Sequence, residues 1–244
     1  MPPIGNAETM SRRDAEEDWV ADDEYFDRRE MEMVHVMLRR ELGLLPKLIG
    51  ETTNIERAAH IADHFAFVAD TLHHHHCSED DYVWPLLAER TGESADELLA
   101  VMNSQHSELA TQLEKVRAAM LTWSADCAAE QGALLVDALV RFNDMLDQHL
   151  SAEEQLVVPL MEQLITASEW DRMVQKGAAA ADPATLPLGF GMLMYEGDPE
   201  IVGRALSVMP AESRPVIRKL AADAYAEHAQ RIHGTQTPLR STDV

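Results

Sequence analysis

Residues 75–86 read His-His-Cys-Ser-Glu-Asp-Asp-Tyr-Val-Trp-Pro-Leu, and residues 149–160 read His-Leu-Ser-Ala-Glu-Glu-Gln-Leu-Val-Val-Pro-Leu. The two stretches align without a gap. His75 falls on His149, Glu79 on Glu153, Asp80 on Glu154, Val83 on Val157, Pro85 on Pro159 and Leu86 on Leu160. A second pair of stretches matches too, with His35, Leu38 and Leu42 recurring as His106, Leu109 and Leu113. Along the chain the order is a histidine and then HxxxE, twice over. Short apolar matches at helical spacing arise by chance. Two histidine matches and an HxxxE pair in the same order are much harder to obtain that way.

The residues around this repeat are patterned as helices. Met33, Val34, Met37, Leu38, Leu42 and Leu45 predict a first helix from about Asp23 to Leu48, with Pro46 near its end and a turn at Gly50 and residues 52–54. Ile61, Phe65, Val68 and Leu72 predict a second, from about Ile55 to Glu89, in which Pro85 imposes a bend or a lost hydrogen bond. Ser94 with Glu97 three residues on has the form of a capping box, so the third helix is expected to start there and reach about Thr122. The fourth spans about Ala129 to Ile165. Four long helices with short connections predict an all-α fold, an up-down-up-down four-helix bundle over residues 23–166. Residues 1–22 read as a polar N-terminal tail, and residues 167–244 as a linker and a C-terminal helical extension. The linker is the Ala- and Gly-rich run 177–191; Asp198-Pro199 opens a short helix, and Pro210 opens another that reaches His233 and stops at Gly234.

Composition narrows the function. Asp plus Glu number 43 against 20 Lys plus Arg, and the net charge of −23 repels phosphate backbones and anionic lipid, which argues against nucleic acid and membranes as partners. No apolar run approaches the roughly 20 residues of a membrane span. The opening MPPIGNAETMSRRDAEED has no apolar stretch of a signal peptide, and two cysteines are too few for a disulfide framework. The chain therefore reads as cytoplasmic.

Residues four apart on a helix share a face, about 6 Å apart along the axis. His75 and Glu79 thus point at one object, and so do His149 and Glu153. In an antiparallel bundle the inward positions at similar depth meet at the centre, which here gathers four imidazoles and two carboxylates. A dry core does not accept two carboxylates without partners, and a pair of cations supplies them. Imidazole with carboxylate suits iron, zinc or manganese rather than calcium. Each carboxylate can bridge two ions, with the imidazoles as terminal ligands.

At these residues the sequence resembles the hemerythrin-like (HHE cation-binding) family, over about residues 24–166, and the pattern His35, His75-x3-Glu79, His106, His149-x3-Glu153 is similar to its actinobacterial subgroup. The resemblance implies a four-helix bundle around a non-haem di-iron centre, two iron ions with an oxo or hydroxo bridge, whose small ligands are O2, peroxide or nitric oxide. It implies that His35 and His75 ligate one iron, His106 and His149 the other, and that Glu79 and Glu153 bridge. Oxygen-carrying hemerythrins have HxxxxD in the last helix, where this chain has HxxxE. They also carry two histidines four apart in the third helix, whereas the positions four either side of His106 are Met102 and Ala110. Related eukaryotic domains use the residue after the second-helix histidine, here His76, as a ligand. These departures point away from reversible oxygen storage and toward peroxide or nitric oxide handling. The alternative is a non-enzymatic oxygen or iron sensor, or an iron store.

The remaining candidates receive plainer readings. His73 to His76 turn by about 100° each, so His73 and His74 face elsewhere than His75. His60 and His64 are expected to pack or to face solvent, His228 and His233 to be ordinary helix residues, Asp80 and Glu154 to be solvated, with support of the ligand histidines as the alternative, and Cys77 to be an inert thiol, with oxidant sensing as the alternative. A ferritin-type site needs Glu-x-x-His twice, and only Glu32-x-x-His35 fits. The C-terminal region is read as a surface for partner contact or a homodimer.

Overall fold

The computed structural model describes residues 24–207 and 209–241. The predicted polar tail, residues 1–22, lies outside them. Among the described residues the regular structure is all helical, with one isolated bridge between Tyr25 and Thr166.

The first helix, α1 (Arg28–Gly50), starts later than its apolar stripe suggests. Residues before it are extended instead, where Phe26 N–H donates to Ile165 (2.9 Å) and Ala167 N–H to Glu24 (2.7 Å). Asp27 then caps the helix by accepting from Arg29 N–H. The second predicted helix is broken in three: α2 (Ile55–Ser78), a π-helical turn over Glu79–Val83, and α3 (Trp84–Thr91). Pro85 sits in the first turn of α3, directly after the π turn, inside a backbone that stays helical throughout. The wider π turn just before it absorbs the change of register, and such turns recur at functional sites.

The third helix, α4 (Asp96–Asp126), is reached through a short 3₁₀ turn over Gly92–Ser94. Ser94 does not cap it: the Ser94 hydroxyl donates back to Thr91 (2.8 Å), and the capping position is Ala95. The capping box forms elsewhere, at Thr166 and Glu169. The fourth predicted helix divides at Val157 into α5 (Ala129–Leu156) and α6 (Val158–Leu164), again with a proline, Pro159, in the first turn of the new segment. Both halves of the sequence repeat therefore interrupt their helix just past the glutamate.

The four long helices form a ring: α1 and α4 each lie beside both α2 and α5. Leu38, Leu42, Leu72, Leu109, Leu139 and Leu146 fill one apolar layer, and Met31, Val83, Trp84, Met102, Val157 and Met161 fill another. His35, His76, His106 and His149 are buried where these layers meet.

Beyond residue 166 the chain is more structured than its composition suggests. The run expected as linker at 177–191 is mostly helical, because α7 (Ala167–Ala180) continues into it and α8 (Leu186–Glu196) begins within it. The short helix opened by Pro199 is α9 (Pro199–Ser207), and α10 (Arg214–His233) ends as expected at Gly234, whose φ of 73° is the left-handed cap. α10 begins four residues after Pro210, with Pro215 in its first turn instead. The extension is no loose appendage: Met192, Tyr225, Ala229 and Ile232 belong to the same apolar cluster as the bundle core. Helices α8 and α10 cross so closely that a Cβ at Gly191 would lie 2.2 Å from the Ala221 carbonyl oxygen, so only glycine fits.

Candidate metal centre

Helix α1 contributes His35, α2 and the π turn contribute His75, His76 and Glu79, α4 contributes His106, and α5 contributes His149 and Glu153. The structure brings all seven together as two adjoining groups: His35, His75, Glu79 and Glu153, and His76, His106 and His149. Every one except His75 is buried, and the His75 side chain is 11% exposed.

The distances sort the residues into two histidine pairs joined by carboxylates. His35 Nε2 lies 3.2 Å from His75 Nε2, and His106 Nε2 lies 3.1 Å from His149 Nε2. Glu79 spans the pairs, with Oε1 3.2 Å from His75 Nε2 and Oε2 3.5 Å from His106 Nε2. From the opposite side Glu153 Oε2 lies 3.5 Å from His35 Nε2 and 3.9 Å from His149 Nε2. His76 stacks on His106 with ring centroids 4.1 Å apart and meets His149 edge-on at 5.1 Å. His73 and His74 are exposed.

The outer edges of three imidazoles are already engaged. His35 Nδ1 donates to Glu154 (2.8 Å), which Arg39 also holds (2.6 Å). His106 Nδ1 donates to Asp80 (2.7 Å), and His149 Nδ1 to the Gln105 amide oxygen (3.0 Å). Asp80 and Glu154 therefore take the alternative role, holding a histidine from behind, rather than the solvated one. Each follows a central glutamate by one residue, and that rotation carries it to the back of a histidine on the neighbouring helix. Such contacts fix the tautomer and leave each Nε2 lone pair pointing inward.

The electrostatics show what the donor set suits. Burial, reinforced by neighbouring imidazoles, pushes His75 and His76 well below the ordinary histidine range and His149 down to about 3, so these rings are neutral and ready to donate lone pairs. Burial and the facing Glu153 push Glu79 up, and burial does the same to Glu153. Burial also works against the ionised form of Glu154, but the bonds from His35 and Arg39 prevail and hold it at about 2. All four carboxylate oxygens of Glu79 and Glu153, and His76 Nε2, are buried without a hydrogen-bond partner. Orphaned acceptors of this kind are costly. Cations seated between the histidine pairs would satisfy them, so the donor set fits bound metal cations.

The hemerythrin HHE cation binding domain family matches residues 27–161. The chain belongs to that family. No curated protein and no solved structure matches it. In this HHE domain the His/Glu cluster able to hold a metal lies between the two apolar clusters, and the match ends before α7. Among the described residues no helix is long and apolar enough to cross a membrane.

Outside the HHE centre, sequence reasoning missed a second buried polar cluster. Arg40 and Glu41 are ion-paired and buried, and Arg40 also pairs with Glu196 (2.7 Å) and donates to the Tyr225 hydroxyl (2.7 Å). Tyr225 in turn donates to Glu41 (3.1 Å). His64 Nε2 lies 3.4 Å from Glu41, and His64 Nδ1 lies 3.0 Å from His228 Nε2. His64 is packed, one of the two roles expected of it, and His228 is more than an ordinary helix residue; together they join α2 to α10. The signal was present in the sequence: Glu41 sits among Leu38, Leu42 and Leu45, and His64 among Ile61, Phe65 and Val68, both on apolar stripes.

A cleft of about 630 Å³ runs along the seam of α2 and α4 and has His76 and His106 in its wall. Cys77 lines it with Sγ 3.7 Å from the His73 ring nitrogens, and burial together with Asp80 and Asp81 pushes the thiol up, away from the reactive thiolate.

Proposed function

We propose that the chain is a non-haem di-iron protein of the actinobacterial HHE subgroup, built as an up-down-up-down bundle, that handles peroxide or nitric oxide. The observation carrying this reading is Glu79, whose two oxygens face different histidine pairs and have no other partner. His35 and His75 hold one ion, His106 and His149 the other, Glu79 and Glu153 lie between them, and His76 completes the second ion. Bound iron would supply one-electron exchange with a small ligand. The chain supplies the rest. Glu154 and Asp80 keep His35 and His106 in the tautomer that presents Nε2. The apolar layers on either side exclude water and strengthen every charge interaction within. Both cysteines are free, in keeping with a reducing cytoplasm. A homodimer through the extension, whose α10 exposes Val216 and Leu220, belongs to the same proposal and is tested by light scattering.

Metal analysis and the visible spectrum of aerobically purified protein test the centre. We expect two irons per chain with ferric absorption, lost in Glu79→Ala and in Glu153→Ala and kept in His60→Ala. One zinc and no iron, or equal loss in all three variants, would contradict the assignment. Adding peroxide and following oxygen release separates turnover from the sensor or store, which uses the same ligands and releases none.

A further inference from the structure

The centre is buried, so its ions need a way in. We propose that the α2–α4 cleft is the entry path for divalent transition-metal cations, its wall carrying Asp70, His73, Cys77 and Glu114 as successive single contacts rather than as one closed site; this rests on the di-metal reading above. One face of α2 presents Asp70, His73 and Cys77 to the cleft, one metal-binding side chain per turn. Glu114 of α4 faces them. The inner wall holds His76, 93% buried, whose Nε2 has no hydrogen-bond partner and belongs to the group with His106 and His149. The path thus runs from exposed carboxylates, through a histidine and a thiol, to an orphaned imidazole.

This sequence of donors suits a hydrated cation. A divalent ion does not shed its water into an apolar seam unless protein ligands replace that water step by step. Hard carboxylates at the mouth attract the aquo ion, while imidazole and thiol favour a borderline transition metal over calcium or magnesium. Arg117 closes the mouth by pairing with Asp70 (2.6 Å) and Glu114 (3.2 Å). An arriving divalent cation competes for both carboxylates.

The test is stopped-flow uptake of Co2+ by the metal-stripped full chain at low salt. In Asp70→Asn/Glu114→Gln and in His73→Ala/Cys77→Ser we expect loading slower by roughly tenfold, the lower end of electrostatic steering, with the final uptake of two ions unchanged. The acidic double variant should also lose most of the salt dependence of the rate. Arg117→Gln should load faster, a gain that misfolding does not produce. Rates within about twofold of the parent in all three variants would overturn the proposal. So would slower nitric oxide binding to the loaded variants with Co2+ uptake unchanged, which would make the cleft a path for neutral ligands. If the parent takes up no Co2+, the di-metal reading itself fails, and this proposal with it.

Discussion

Helix α1 serves two buried carboxylate clusters, one at His35 and one at Glu41, and they are compensated in different ways. Around Glu41 the chain carries its own cation. Arg40 pairs with Glu41 and Glu196, Tyr225 donates to Glu41, and His64 stands on the far side. Around Glu79 and Glu153 no arginine or lysine among the described residues lies within ion-pair distance, only imidazoles, with His75 and His149 held neutral by burial. The outer acid Glu154 does have Arg39, which shows that the bundle can place a guanidinium nearby and keeps it out of the centre. A buried acid with its own arginine is structure. A buried acid surrounded by neutral imidazoles is a donor set suited to a cation.

The comparison is most sharply tested by removing the metal. Binding to the folded state stabilises it by about 4 kcal/mol per ion at a free concentration a thousandfold above Kd. Stripping both ions should therefore lower Tm by tens of degrees while far-ultraviolet circular dichroism keeps most of the helix signal. An unchanged melting curve would mean that the carboxylates are compensated from within.

Arg40→Leu is the matching change in the other cluster. It strands Glu41 and Glu196, and breaking such a buried pair costs about 3–5 kcal/mol. Urea unfolding should show this cost with iron content unaltered. Loss of iron in this variant would mean that the two clusters are one unit.

Acid should separate the clusters next. Burial pushes His228 and His233 down to about 4 and His64 well below the ordinary range. A histidine whose folded value lies below its unfolded one takes up a proton on unfolding. Its stabilising effect is complete above about pH 6.5 and declines toward pH 4, by up to about 1.4 kcal/mol per pH unit for each ring. Hydrogen exchange should show α8 and α10 loosening over that window. Protection independent of pH would show that these histidines carry no such linkage.

The smallest effect distinguishes a site from a scaffold. In the metal-stripped protein Glu79→Gln removes an acid that burial disfavours, and should raise stability by about 1–3 kcal/mol at pH 8. With iron present the same change should lower it. A loss in both states would give Glu79 a structural role.

The candidate centre was legible in the chain because its geometry is local. HxxxE places both donors on one helical face whatever the rest of the molecule does, and the repeated order of histidine and HxxxE brings the faces together. The outer contacts were harder to read. Asp80 and Glu154 look solvated from their position on their own helix, and only the neighbouring helix shows which imidazole each one holds. The same limit hid His64, whose partners Glu41 and His228 are 23 and 164 residues away in sequence.

The sequence by itself determined the all-helical class, the four long helices, the two HxxxE pairs that share a helical face and the stop at Gly234, because each follows from periodicity or from one residue's backbone freedom. Only the tertiary structure decided the rest. Whether Pro85 would bend its helix or widen it into a π turn depended on what packs against Glu79 and Val83. Whether Ser94 or Thr166 would build a capping box depended on where the chain had to turn. The run at 177–191 became helix instead of linker because the bundle offered an apolar surface on which α8 and α10 could bury Met192, Tyr225 and Ile232. Gly177, Pro183, Pro187, Gly189 and Gly191 weaken the local propensity of this run, and burial against a partner that sequence does not reveal outweighs them.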